Sequence, residues 1–117
     1  MQILTILNDP PYGTERVYNG LRLTAALQKA SADAIPTVFL MADAVTAAKR
    51  GQKTPDGFYN VERMIRHILS ASGHVLLCGS CLDARGLVMG DLIDGVRRST
   101  MDELATLAIQ AEKVLVF

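Results

Sequence analysis

Two cysteines stand three residues apart in Leu77-Cys78-Gly79-Ser80-Cys81-Leu82-Asp83-Ala84-Arg85-Gly86, and they are the only cysteines in the chain. A cysteine placed where an apolar strand turns into a helical segment lies beside amide groups with no intrahelical acceptor. Hydrogen bonds from such donors favour the thiolate and lower the thiol pKa from about 8.5. Cys78 holds that position, next to the amides of Gly79, Ser80 and Cys81. Arg85 adds a positive charge if the turn folds back. The chemistry expected is a nucleophilic sulfur that needs no histidine base. Cys81 lies about one helical turn on, within reach of Cys78, and Asp83 beside it disfavours a second negative charge.

Other readings of the pair stay open on the residues alone. Free cysteine is common as a small buried hydrophobe. His74-x3-Cys78-x2-Cys81 with His67 would make a zinc ligand set. Cys-x-x-Cys at a helix start is also the setting of a thioredoxin-like dithiol, although no hairpin signal follows residue 86. Other chemistries lack their motifs. There is no Gly-x-Gly-x-x-Gly, no Gly-x-x-x-x-Gly-Lys-Ser/Thr and no Gly-x-Ser-x-Gly. Asp9, Asp43, Asp83 and Asp91 show no spacing diagnostic of an acid/base pair. No cofactor and no metal are expected.

The elements that must position the cysteines follow from periodicity. Apolar runs read as strands at Gln2–Leu7, Thr37–Met41, His74–Leu77, Gly95–Arg98 and Lys113–Phe117. Helical patterns separate them. One is capped by Thr14 and runs to about Ala30. A short Ala-rich one covers Asp43–Lys49, and another spans Gly79 to about Val88. Asn60 caps the clearest, which places Val61, Met64, Ile65, Ile68 and Leu69 on one face, with Gly73 as its stop. Thr100-Met101-Asp102-Glu103 is a capping box that opens a helix to Ala111. Strand–helix alternation predicts an α/β fold, a three-layer doubly wound domain on a five-stranded parallel sheet, with flavodoxin-like order 2-1-3-4-5. That order puts a switch point between strands 1 and 3. Asn8–Gly13 and Leu77–Arg85 would then share a cleft in which Pro11, Tyr12, Gly13, Gly79, Ser80, Asp83 and Arg85 bind a small ligand on backbone amides. The Gly51–Tyr59 loop, with Pro55 and Gly57, is expected to be mobile and to act as a lid.

Composition narrows the function classes. The chain has 117 residues with twelve basic and twelve acidic side chains, so its formal net charge is zero. It forms a single domain, 1–117. A neutral chain with no Trp and 5% aromatics is not expected to bind nucleic acid, which needs cations and stacking faces. No apolar run approaches the roughly 20 residues that span a bilayer, so no membrane partner is expected. Half of the residues are hydrophobic, and nine more are Gly, which excludes disorder and suggests an apolar surface left for self-association. The N-terminus lacks the marks of a signal peptide, and two cysteines are too few for a disulfide scaffold, so the expected location is cytoplasmic.

Several separated segments together resemble one family. They are Pro11-Tyr12-Gly13 after the first strand, Phe39-Leu40-Met41-Ala42-Asp43-Ala44-Val45 and Arg50-Gly51-Gln52-Lys53. Leu77-Cys78-x-x-Cys81-x-Asp83-x-Arg85-Gly86, Leu92-Ile93-Asp94-Gly95-Val96 and Lys113-Val114-Leu115-x-Phe117 complete the set. In this order and almost end to end, the chain resembles the DsrE/DsrF-like family, nearest to its small YchN-like single-domain members. The resemblance implies a three-layer α/β fold, a cytoplasmic location and a trimeric or hexameric assembly. It also implies a persulfide held on Cys78, with donor and acceptor proteins as partners in a sulfur relay. The alternative expectation is a homo-oligomeric, small-ligand-binding or redox-sensitive module without sulfur transfer.

Overall fold

The computed structural model describes residues 1–55 and 58–117. Five strands alternate with helices: β1 (Gln2–Leu7), α1 (Arg16–Ala30), β2 (Ile35–Leu40), a 3₁₀ segment (Ala42–Ala48), α2 (Val61–Ser70), β3 (His74–Cys78), α3 (Gly79–Ala84), a 3₁₀ turn (Met89–Asp91), β4 (Arg97–Ser99), α4 (Met101–Gln110) and β5 (Lys113–Val116). All strand pairs are parallel. The chain is therefore a parallel α/β domain, as its alternating pattern predicts.

Across the sheet the order is β4-β3-β2-β1-β5. This differs from the 2-1-3-4-5 expectation in one respect that matters for the site. β2 lies between β1 and β3, pairing Leu7 with Leu40 and Leu40 with Leu77. Alternation and right-handed crossovers constrain direction and face, not which strands are neighbours. Here the first three connections step the same way, so α1 and α2 pack side by side on one face. The last connection returns across the sheet and carries α4 to the other face, where it meets β1. β2 is buried from Pro36 to Leu40, as a strand paired on both sides should be, whereas β5 at the edge has three exposed residues of four.

Local chemistry explains the helix limits. The Asn60 side chain accepts from the Arg63 N–H at 3.0 Å, and the Thr100 hydroxyl accepts from the Glu103 N–H at 3.1 Å, so both expected caps are present. Thr14 donates to the Asp9 carboxylate and accepts weakly from the Arg16 N–H at 3.4 Å, while the N-cap residue itself, Glu15, gives no side-chain cap. Beyond α2, Ser72 adopts the left-handed conformation (φ 69°), not Gly73. The Gly73 N–H reaches back to the Ile68 carbonyl at 2.9 Å. A Cβ on Gly73 would lie 2.9 Å from that carbonyl and 2.6 Å from the Ile68 side chain. Gly73 thus ends the helix through close approach rather than through an unusual φ.

The core joins the three inner strands to the helices. Leu4, Leu7, Phe39, Leu40 and Leu77 are buried with Val17 and Leu21 of α1 and Val61, Ile65 and Ile68 of α2. Met64 and Leu69 pack half-buried beside them, completing the face expected of α2. The expected Gly51–Tyr59 loop includes Asp56 and Gly57, which lie outside the described residues. What is described of it is set against α1 and α2. Gln52 donates its backbone N–H to Glu62 at 2.9 Å, and Tyr59 lies over Tyr18 with ring centroids 4.5 Å apart.

Candidate functional site

Cys78 is the last residue of β3 and the residue before α3, so a buried strand delivers its sulfur to the carboxyl edge of the sheet. It is paired with Ser99 of β4 and is only 8% exposed. Burial alone would push its thiol up. Hydrogen bonds oppose this: the Cys81 thiol, the Ser80 hydroxyl and the backbone N–H groups of Cys81 and Ser80 all favour the thiolate, and the net effect is a lowered pKa. The Ser80 hydroxyl oxygen is 3.3 Å from the Cys78 sulfur. The sequence expectation of amide donors thus holds for Ser80 and Cys81.

Cys81 behaves in the opposite way. Burial raises its pKa, and the hydrogen bond it makes to Cys78 raises it further. Cys78 therefore loses its proton before Cys81 does. Asp83 has no part in this, contrary to expectation. It is held by both terminal nitrogens of Arg98 at 2.8 Å, and that guanidinium lowers its pKa.

Two arginines flank the pair. Arg98 lies over Gly79, where a Cβ would come within 2.7 Å of its guanidinium. A Cys78 thiolate acts on Arg98 in turn, so Arg98 is a cation within electrostatic reach of the nucleophile. Arg85, which sequence spacing offers for that role, instead sits beside Cys81. It binds Asp43 at 2.6 and 3.0 Å and donates to the Cys81 carbonyl at 3.1 Å. The turn after β2 completes the enclosure: the Ala42 N–H donates to the Cys81 sulfur at 3.2 Å. Ala42 has φ 52°, a left-handed conformation that costs a non-glycine residue about 1–3 kcal/mol. Arg98 lies in none of the family-like segments, and Ala42 lies in one that carried no site role, so sequence reasoning missed both. They reach the cysteines only through the strand order.

The structure brings together Cys78, Gly79, Ser80, Cys81, Asp83 and Arg85, but not Pro11, Tyr12 and Gly13. With β2 between β1 and β3, the two loops leave strands that are not neighbours. The Tyr12 hydroxyl donates to the Gln52 side chain and accepts from the Val61 N–H at 3.2 Å. Pro11, Tyr12 and Gly13 line a separate open recess of about 370 Å³ with Glu15, Tyr18 and Tyr59. The zinc arrangement also meets a geometric obstacle. His74 and Cys78 are the two ends of β3, and four residues of strand separate them by about 13 Å. Among the described residues no group of three or more His, Cys, Asp or Glu side chains could hold a metal ion.

Comparison with known proteins agrees with this layout. The sequence model of the DsrE/DsrF-like family matches residues 1–117. Protein YchN of Escherichia coli strain K12 is 42% identical over 116 residues, covering 99% of this chain and 98% of the relative. An uncharacterised protein of Methanocaldococcus jannaschii is 33% identical across the full length of both chains. The crystal structure of the E. coli YchN protein superposes with a TM-score of 0.94 and full coverage of both chains. A protein of unknown function from Methanobacterium thermoautotrophicum, at 14% identity, shares the fold with a TM-score of 0.79, covering 99% of this chain and 97% of that one.

Proposed function

The chain belongs to the DsrE/DsrF-like family, and on that premise we propose that it carries sulfur as a persulfide on Cys78. The observation that supports the reading best is the set of donors around one sulfur: a hydroxyl, a thiol and two amides, converging at the end of a buried strand. A thiolate stabilised in this way is a nucleophile at neutral pH. It attacks the outer sulfur of a donor persulfide. A bond forms between that sulfur and Cys78, the donor's S–S bond breaks, and the donor leaves as a thiolate. An acceptor thiolate then takes the outer sulfur by the same step in reverse. The donors on Ser80 and Cys81 serve the loaded state as well, because a persulfide is also anionic.

Self-association belongs to the same reading. Val114 and Val116 on the edge strand are 43% and 64% exposed, and Ile109 of α4 is 85% exposed. A second copy of the chain is the occupant proposed for this apolar edge, in a homo-oligomer. The setting proposed is cytoplasmic, where both thiols stay reduced.

The test is transfer. Protein treated with a small-molecule persulfide, desalted and mixed with an acceptor thiol should pass sulfur on, and the Cys78→Ser variant should not. A Cys78→Ser variant that transfers as well as the parent would take the carrier role off Cys78, and a parent that transfers nothing would favour the ligand-binding or redox-sensitive alternative.

A further inference from the structure

Sulfur carried on a cysteine can leave in two forms, as an atom handed to an acceptor or as hydrosulfide expelled by a neighbouring thiol. The geometry around Cys81 points to the second as a built-in exit. Cys81 follows Cys78 by three residues at the opening of α3, a spacing of about 5–6 Å between Cα atoms, which suits a disulfide. The Cys81 sulfur does not lie loose. The Ala42 N–H donates to it at 3.2 Å, and Arg85 fastens that turn to α3 through Asp43 at 2.6 Å and through the Cys81 carbonyl at 3.1 Å. These contacts come from the end of β2, across the edge of the sheet, and they touch Cys81 rather than Cys78. A sulfur that only packed in the core would need no amide donor, and the left-handed Ala42 (φ 52°) is what turns its N–H onto this one.

Resting on the reading that Cys78 accepts sulfur, we propose that Cys81 discharges it, oriented by the Ala42 amide and the Asp43–Arg85 ion pair. In the loaded protein, the Cys81 thiolate attacks the inner sulfur, the Sγ of Cys78. A Cys78–Cys81 bond forms, the bond from Cys78 to the outer sulfur breaks, and that sulfur departs as hydrosulfide. The sulfane sulfur gains two electrons, and the two cysteines lose them. A dithiol resets the pair by thiol–disulfide exchange.

The order of events follows from charge. The groups facing Cys81 are Cys78, Arg85 and, through Arg85, Asp43; Asp83 on the same helix is occupied by Arg98. Before loading, Cys81 donates a hydrogen bond to the Cys78 thiolate, which holds the proton on Cys81 and keeps it inactive. Loading moves that negative charge out to the terminal sulfur. The Ala42 amide and the Arg85 guanidinium, both of which favour the Cys81 thiolate, are then less opposed. Discharge is in this way delayed until cargo is present, and an acceptor that arrives first still receives the sulfur.

The experiment loads the full chain with inorganic polysulfide, removes the excess, and follows intact mass and released hydrosulfide over time. The parent protein should lose one sulfur per chain at a rate independent of protein concentration, releasing hydrosulfide and ending as an intramolecular disulfide that a dithiol reduces. In Cys81→Ser the persulfide should persist at least several-fold longer. In Arg85→Gln discharge should slow, and in the Cys78→Ser background Arg85→Gln should move Cys81 alkylation to higher pH. Arg85→Lys, which restores the charge, should bring both back in part. Sulfur on Cys78 with the same lifetime in Cys81→Ser would overturn this inference and leave the carrier reading standing. Failure of Cys78 to take up any sulfur would overturn the carrier reading itself. An Arg85→Gln variant with unaltered discharge and alkylation profile would remove the Met41–Asp43 turn from the account.

Discussion

At the scale of residues, two thiols on one short helix are set apart by their partners. Cys78 receives donors from Ser80 and Cys81, whereas Cys81 donates its thiol hydrogen bond to Cys78. The sign of the pH dependence follows. A lowered pKa means the Cys78 thiolate is present at a lower pH than for a free cysteine, so alkylation of Cys78 should saturate at lower pH than that of Cys81. Ser80→Ala removes one donor and should shift the Cys78 profile upward in pH. Iodoacetamide rates against pH, read by peptide mass for each cysteine, check both statements, and a faster Cys81 would reverse the assignment. Gly79→Ala is the second residue-scale test. Its Cβ would meet the Arg98 guanidinium at 2.7 Å, so Arg98 must swing away, and the Cys78 profile should again move to higher pH. Unchanged alkylation in Gly79→Ala would mean that Arg98 does not act on the thiol.

At the scale of elements, local signals were legible and long-range ones were not. The cysteine pair, the Asn60 and Thr100 caps and the apolar face of α2 all depend on residues within eight positions of one another, and the structure has them as the pattern implies. Strand order depends on which apolar surfaces meet, and β1, β2, β3 and β5 have similar apolar sequences. The shared cleft between Asn8–Gly13 and Leu77–Arg85 was lost with that order. For the same reason Ala42, 39 residues from its partner Cys81, could not be foreseen. The opening of α1 is less clear-cut, because the Thr14 hydroxyl divides itself between Asp9 and the Arg16 N–H. Two substitutions test the α2 boundaries. Asn60→Ala should cost about 1 kcal/mol through the lost cap. Gly73→Ala should cost about 1–3 kcal/mol, because the added methyl overlaps both the Ile68 side chain and the Ile68 carbonyl. Urea unfolding of both variants measures these values, and a Gly73→Ala variant as stable as the parent would refute the close-approach argument.

At the scale of the whole molecule, the sheet is unevenly covered. α1 and α2 shield one face, while α4 alone returns to the other and β5 ends the sheet with Val114 and Val116 exposed. An apolar strand edge left open invites pairing with another chain, and a chain of zero net charge does little to resist it. Light scattering at micromolar concentration should therefore give a multiple of 12.7 kDa, and Val116→Glu should lower it. A mass near that of one chain would contradict the proposed assembly. The central claim, that sulfur is carried on Cys78, is tested most directly by mapping where sulfur binds. Protein treated briefly with a persulfide donor, blocked and digested should show one added sulfur atom on the peptide at Cys78, and none in Cys78→Ser. Added sulfur found on Cys81 with Cys78 unmodified, or on neither cysteine, would contradict it.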